Sequence, residues 1–173
     1  MRQILEFLHR HEPRGETLSH LKSGLGAVIA MTLVGALAAL TGLPMLLAPF
    51  GATAVLLFGQ AESPLAQPAN VFGGYLLAAV ISVAILAVLP QAWWVATIAV
   101  GLTIAAMLAL RVTHPPAGAV PLVAFSTHMP AETLFIVVVF GAVCLVAVAL
   151  VHHRLPPRIT YPRRPPNAVR DTP

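Results

Sequence analysis

Residues 44–60 read PMLLAPFGATAVLLFGQ, and residues 111–127 read RVTHPPAGAVPLVAFST. Both carry prolines near their start, pass a Gly-Ala pair and continue into a short apolar run that ends near phenylalanine. A shift of 67 positions lays Pro49 on Pro116, Gly51 on Gly118, Ala52 on Ala119 and Phe58 on Phe125. Proline cannot continue a helix but suits its first turn. Each stretch therefore predicts extended chain, at 44–48 and 112–115, followed by a short helix at about 50–59 and 117–125. At about 1.5 Å per residue such a helix is about 15 Å long, half of a bilayer core of about 30 Å. With the extended part at about 3.3 Å per residue, one stretch crosses once and its helix begins near mid-depth.

The flanking sequence is that of a membrane protein. Hydrophobic residues make up 58% of the chain and charged residues 9%, against about 25% charged in a soluble domain. Between Ser23 and Val151 the only charged side chains are Glu62, Arg111 and Glu132. So few cannot cover a surface in water, whereas lipid needs none. Four segments have the length of a span: about 24–43, 71–89, 92–110 and 133–151. The second and third are joined by Pro90 and Gln91, with Trp93 and Trp94 at the interface. Small residues recur every four positions (Gly74, Ala78, Ser82; Gly101, Ala105, Ala109; Gly26, Ala30, Ala38, Gly42) and suit close helix packing.

The fold expected is all-α and integral to the membrane. It has four full transmembrane helices and two broken half-helix segments, arranged as two repeats of about 24–89 and 92–151. The 67-residue shift also aligns the flanking spans. If the broken segments cross, each repeat has three passes and the second is inverted. If they are re-entrant, there are four crossings and two parallel repeats. Crossing is preferred.

A cytoplasmic amphipathic segment is expected at 1–22, with a short interfacial helix at 1–12. A basic, proline-rich cytoplasmic tail is expected at 152–173, extended or disordered from Pro156 to Pro173. Apart from Arg111, the Lys and Arg residues lie before and after the apolar body, which places both termini in the cytoplasm by the positive-inside rule. The localisation expected is the bacterial inner (plasma) membrane. The basic ends have no aromatic interleaving, and no nucleic-acid partner is expected. The single cysteine, Cys144, lies in an apolar run and can form no intrachain disulfide.

A helix start buried in a membrane leaves N–H groups and about half a positive charge to be satisfied. An anion is the natural partner, and paired discontinuous helices are the sequence pointer to a transporter site. The candidate substrate-binding residues are Pro49, Gly51, Ala52 and Thr53 with Thr113, His114, Pro115, Pro116, Gly118 and Ala119. Gly51 and Gly118 would let backbone N–H groups approach an ion. His114 is open to two readings, a proton relay or a loop clamp. No acidic pair, nucleophile–base set, metal-ligand cluster or phosphate loop is visible, so neither enzyme, metal nor cofactor is expected.

At THPPAGA, residues 113–119, the chain resembles the HPP family of membrane proteins, named for its His-Pro-Pro motif. APFGATAVLLF at 48–58 and SPLAQPAN at 63–70 match a second element in the same order, and the resemblance spans about residues 20–151. Members in plastids and cyanobacteria are implicated in nitrite transport. The resemblance thus implies a membrane transporter or channel for a small inorganic anion, nitrite first. A non-transporting sensor or assembly subunit is the alternative. At 173 residues a protomer has little room to enclose a pathway, so a homo-oligomer is expected.

Overall fold

The computed structural model describes residues 6–9 and 16–163. Regular structure among them is helical. The helices are α1 (Thr17–Thr41), α2 (Ala48–Ala54, continued by a π turn at Val55–Gly59), α3 (Pro68–Leu86), α4 (Trp93–Ala109), α5 (Val120–Thr127, preceded by a 3-10 turn at Pro115–Ala119) and α6 (Ala131–His152). The helix expected at 1–12 lies outside the described residues except at 6–9, where His9 N–H donates to the Glu6 carbonyl at 3.3 Å.

Among the described residues three helices, α1, α3 and α6, are long and apolar enough to cross a membrane. The fourth expected span is shorter: α4 has 17 residues, about 26 Å at 1.5 Å per residue. The boundaries also moved. α1 starts seven residues before Gly24, at Thr17, and takes in Lys22, whose ammonium donates to two tail carbonyls. α3 begins at Pro68 and ends at Leu86, three residues before expectation at each end; Pro68 in the first turn sets its start.

Contacts fix the course of the chain. Gly26 near the start of α1 lies against His152 at the end of α6, so the first and last helices run in opposite directions. After α1 closes on Gly42 in the left-handed region (φ 71°), the chain returns along it. Leu46 lies beside Gly35, and Phe58 reaches Gly26 and His152. The first broken segment thus runs back along α1 from Gly42 as far as Gly26. The second runs the opposite way: Val112 lies beside Gly73, Gly118 faces Ile104, and the Phe125 carbonyl accepts from Gln91 Nε2 at the far hairpin (2.6 Å).

Extended chain among apolar helices must satisfy its own N–H groups. Leu43, Met45 and Leu47 do so locally. Leu43 donates to Thr41 Oγ1 (3.3 Å), Met45 to the Leu43 carbonyl (2.8 Å) and Leu47 to the Met45 carbonyl (2.9 Å), while Pro44 has no donor to satisfy. In the second segment Val112 donates to the Met107 carbonyl (3.0 Å), and Asn70 Nδ2 caps the Thr113 carbonyl (2.9 Å).

The core contains Ala30, Val34, Phe50, Leu57, Val71, Tyr75, Val95, Val120 and Leu134, all essentially inaccessible. Two of the three small-residue stripes face inward: Gly74, Ala78 and Ser82 on α3, and Gly26 and Ala30 on α1. The third does not, since Gly101, Ala105 and Ala109 on α4 are exposed. The described part of the tail beyond α6 is irregular chain. Residues 153–163 pack back on the bundle, with Tyr161 buried, and residues 164–173 lie outside the described residues.

Candidate functional site

The two short helices start at Ala48 and at Pro115, two residues before each expected start. Proline occupies the first turn of both. They lie side by side and antiparallel. Thr53, in the second turn of α2, touches His114, the residue before the second helix begins. Their N-termini therefore flank a shared region from opposite ends instead of pointing at one spot.

That region is an open hollow of about 460 Å³. It is lined by Ala48, Pro49, Ala52 and Leu56 from the first segment and by Pro115, Pro116 and Ala119 from the second. Ala48 and Pro115, Pro49 and Pro116, and Ala52 and Ala119 are each separated by 67 positions, the shift read from the sequence. Equivalent residues of the two segments thus line the same hollow. Its lining is short and apolar, with no charged side chain.

Five of the ten candidate residues line the hollow: Pro49, Ala52, Pro115, Pro116 and Ala119. Gly51 lies elsewhere, in a groove against α1 beside Ala27, Val28 and Met31, and a Cβ there would meet nothing within 4 Å. Gly118 is buried, with Ile104 as the nearest neighbour at 3.9 Å from a Cβ position. Neither glycine is pressed by a neighbouring atom. Thr113 is half-buried, its hydroxyl turned to the Met107 carbonyl at 3.4 Å.

Thr53 and His114 instead form a polar chain within the protein. His114 Nδ1 lies 2.9 Å from the Leu65 carbonyl, which can only accept, so Nδ1 carries the proton and donates. With the ring neutral, Nε2 is then an acceptor, and the Thr53 hydroxyl 2.8 Å away donates to it. The Tyr75 hydroxyl, 2.6 Å from Thr53 Oγ1, donates in turn. The order is Tyr75 to Thr53 to His114 to Leu65, and all three side chains are fully buried. A buried polar chain with every member satisfied is rigid, and breaking one link exposes the cost of the rest. His114 is pinned further by Gly74, where a Cβ would fall 2.7 Å from the His114 Cβ. This geometry is that of a clamp joining both broken segments to α3 and to the 60–67 loop.

Sequence reasoning missed Tyr75 and Leu65 as partners of this chain. Tyr75 stands in an apolar span with no local signal. The one available clue was a lone tyrosine hydroxyl deep in a membrane helix, which needs a partner.

Comparison with known proteins agrees with this description. Residues 12–162 match the HPP transmembrane region. Two transmembrane proteins of Dictyostelium discoideum are similar, one 34% identical over 128 residues and one 32% identical over 129. Each match covers 68% of this chain but only 40% and 44% of those proteins, so the chain spans less than half of either. No solved structure matches. The chain is an integral membrane protein and belongs to the HPP family.

Proposed function

We propose that this chain is a transporter or channel for a small inorganic anion, with nitrite the substrate its family resemblance suggests, and that it catalyses no reaction. The observation that carries this reading is the hollow lined by 67-residue equivalents of two antiparallel broken helices. It is the arrangement expected of an inverted repeat whose substrate site lies where the repeats meet. Four full spans and two broken crossings then make six passes, with α4 the shortest.

The hollow offers an anion two helix N-termini and little else. Each carries up to about half a positive charge. Pro49, Pro115 and Pro116 supply no N–H, so the attraction comes mainly from the helix field. Weak binding suits passage, since an ion held by a buried cation would not leave. The early part of α1 and the end of α6 lie together, and the positive-inside rule assigns that end to the cytoplasm. The exposed Gly101, Ala105 and Ala109 stripe fits a homo-oligomer in which α4 packs against another copy.

A second reading, a membrane sensor or assembly subunit that does not transport, draws on one observation. Every side chain of the Tyr75, Thr53 and His114 chain is already partnered within the protein. Liposomes containing only this protein and a nitrite-sensitive dye separate the two. Protein-dependent nitrite entry supports transport; nitrite binding without entry supports the sensor; neither binding nor entry removes nitrite from both.

A further inference from the structure

Where α1 begins and α6 ends, the chain after α6 folds back as a strap. Lys22 Nζ donates to the carbonyls of Leu155 (2.7 Å) and Pro157 (2.6 Å). The Tyr161 hydroxyl donates to the Ala66 carbonyl (3.0 Å), and the Arg163 N–H donates to Gln67 Oε1 (2.8 Å). Gln67 uses its amide N–H groups on the Ala61 and Ser63 carbonyls, both at 2.9 Å, and so holds its own loop. His153 Nε2 donates to the Leu57 carbonyl at 2.8 Å, inside the π turn that ends the first short helix. The strap therefore grips the last turn of a helix that also lines the hollow.

His153 is 2% exposed. Its Nε2 donates, so Nδ1 is a bare acceptor in the neutral ring, and Nδ1 has no partner among the described residues. The rings of His152, Tyr161 and Phe58 stand around it, with centroids 4.9, 5.3 and 6.3 Å away. The titratable or charged groups facing it are Lys22 from α1, His152 from α6 and Tyr161 from the strap; the π turn and the 60–67 loop present Phe58 and backbone carbonyls. None of these is an anion. A proton on Nδ1 would create a buried N–H with no acceptor, close to the fixed charge of Lys22.

We propose that residues 153–163 are a pH-sensitive latch: on gaining a proton His153 turns out to water, releases the Leu57 carbonyl and frees the strap from the first short helix. Burial, reinforced by Lys22 and opposed by the Leu57 bond, holds His153 below the ordinary imidazole range. A lowered value in the closed state means that the latch is intact above about pH 6.5 and weakens as pH falls below it, by up to about tenfold in its closing equilibrium per pH unit. The latch is a property of the fold and does not depend on what the hollow carries.

The test uses the full chain in lipid nanodiscs with Cys144→Ala and a spin label on Thr160→Cys, an exposed position of the strap. The label should be immobile at pH 8 and gain a mobile population between pH 6.5 and pH 5. His153→Gln, which keeps a donor for Leu57 but cannot titrate, should hold the label immobile throughout, and His152→Gln should keep the transition. No transition in the otherwise unchanged chain overturns the latch, whatever the variants do. A transition that survives His153→Gln and vanishes in His152→Gln overturns the assignment to His153.

Discussion

In the first broken segment α geometry begins at Ala48 and loosens into a π turn from Val55, whereas in the second a 3-10 turn from Pro115 to Ala119 precedes the α-helix. One residue accounts for the second form. Pro121 has no N–H to give the Ala117 carbonyl, which accepts instead from Val120 in the tighter 3-10 pattern. Its 67-residue counterpart is Ala54, which has an N–H and stays α-helical. The chemistry diverges further. The counterparts of Thr53, Tyr75 and His114 are Val120, Ala142 and Leu47, all buried and apolar. The two halves share a frame around the hollow, but the polar clamp exists on one side only.

The shared frame can be broken first at two glycines 67 positions apart. Gly74 on α3 lies against His114, and Gly141 on α6 lies against the Phe50 ring, so each supports the broken segment of the other half. Gly141→Ala should be the most damaging substitution, because the added carbon would overlap the ring. Gly74→Ala should follow, each at about 1–3 kcal/mol or more. Thermal unfolding in detergent measures both; an unchanged melting temperature in either removes that close contact from the frame.

The clamp gives the next largest effect. Thr53→Val leaves the His114 Nε2 acceptor and the Tyr75 hydroxyl without partners, at about 1–3 kcal/mol for each buried group. Tyr75→Phe removes only the first donor and leaves Thr53 bonded to His114, so it should cost about 0.5–1.5 kcal/mol. Equal losses in the same unfolding assay would mean that the hydrogen bonds do not run from Tyr75 to His114.

The smallest effect is expected at Pro121→Ala. The new N–H can reach the Ala117 carbonyl, offsetting the flexibility gained by the unfolded chain, and the net change should stay below about 1 kcal/mol. Hydrogen exchange should find the amide at position 121 protected. Rapid exchange there would assign the 3-10 start to a cause other than the missing donor.

What the sequence revealed followed from local rules. Scarcity of charge marked the membrane class, and prolines at 49 and 116 marked both short helices to within two residues. The 67-residue shift named residues that line the hollow from both segments. Features made by distant partners were not legible. Tyr75 reaches Thr53 and, through it, His114 from another helix, and nothing in its own neighbourhood announces this. The π turn depends on packing at the bundle end and on His153, which is distant in sequence. The tail read as extended or disordered because proline and arginine dominate it; the contacts that hold residues 153–163 against the bundle, at Tyr161 and at the carbonyls facing Lys22, come from distant partners.

The central claim is that equivalent residues of the two halves line one pathway for a small anion. The most direct test is nitrite flux into liposomes carrying Ala52→Leu or Ala119→Leu at matched protein levels. Each substitution projects bulk into the hollow from one side. The arrangement predicts that both variants stay folded and that both lose most of the flux seen with the unaltered chain. Undiminished flux in both, with the leucines confirmed in folded protein, would contradict it.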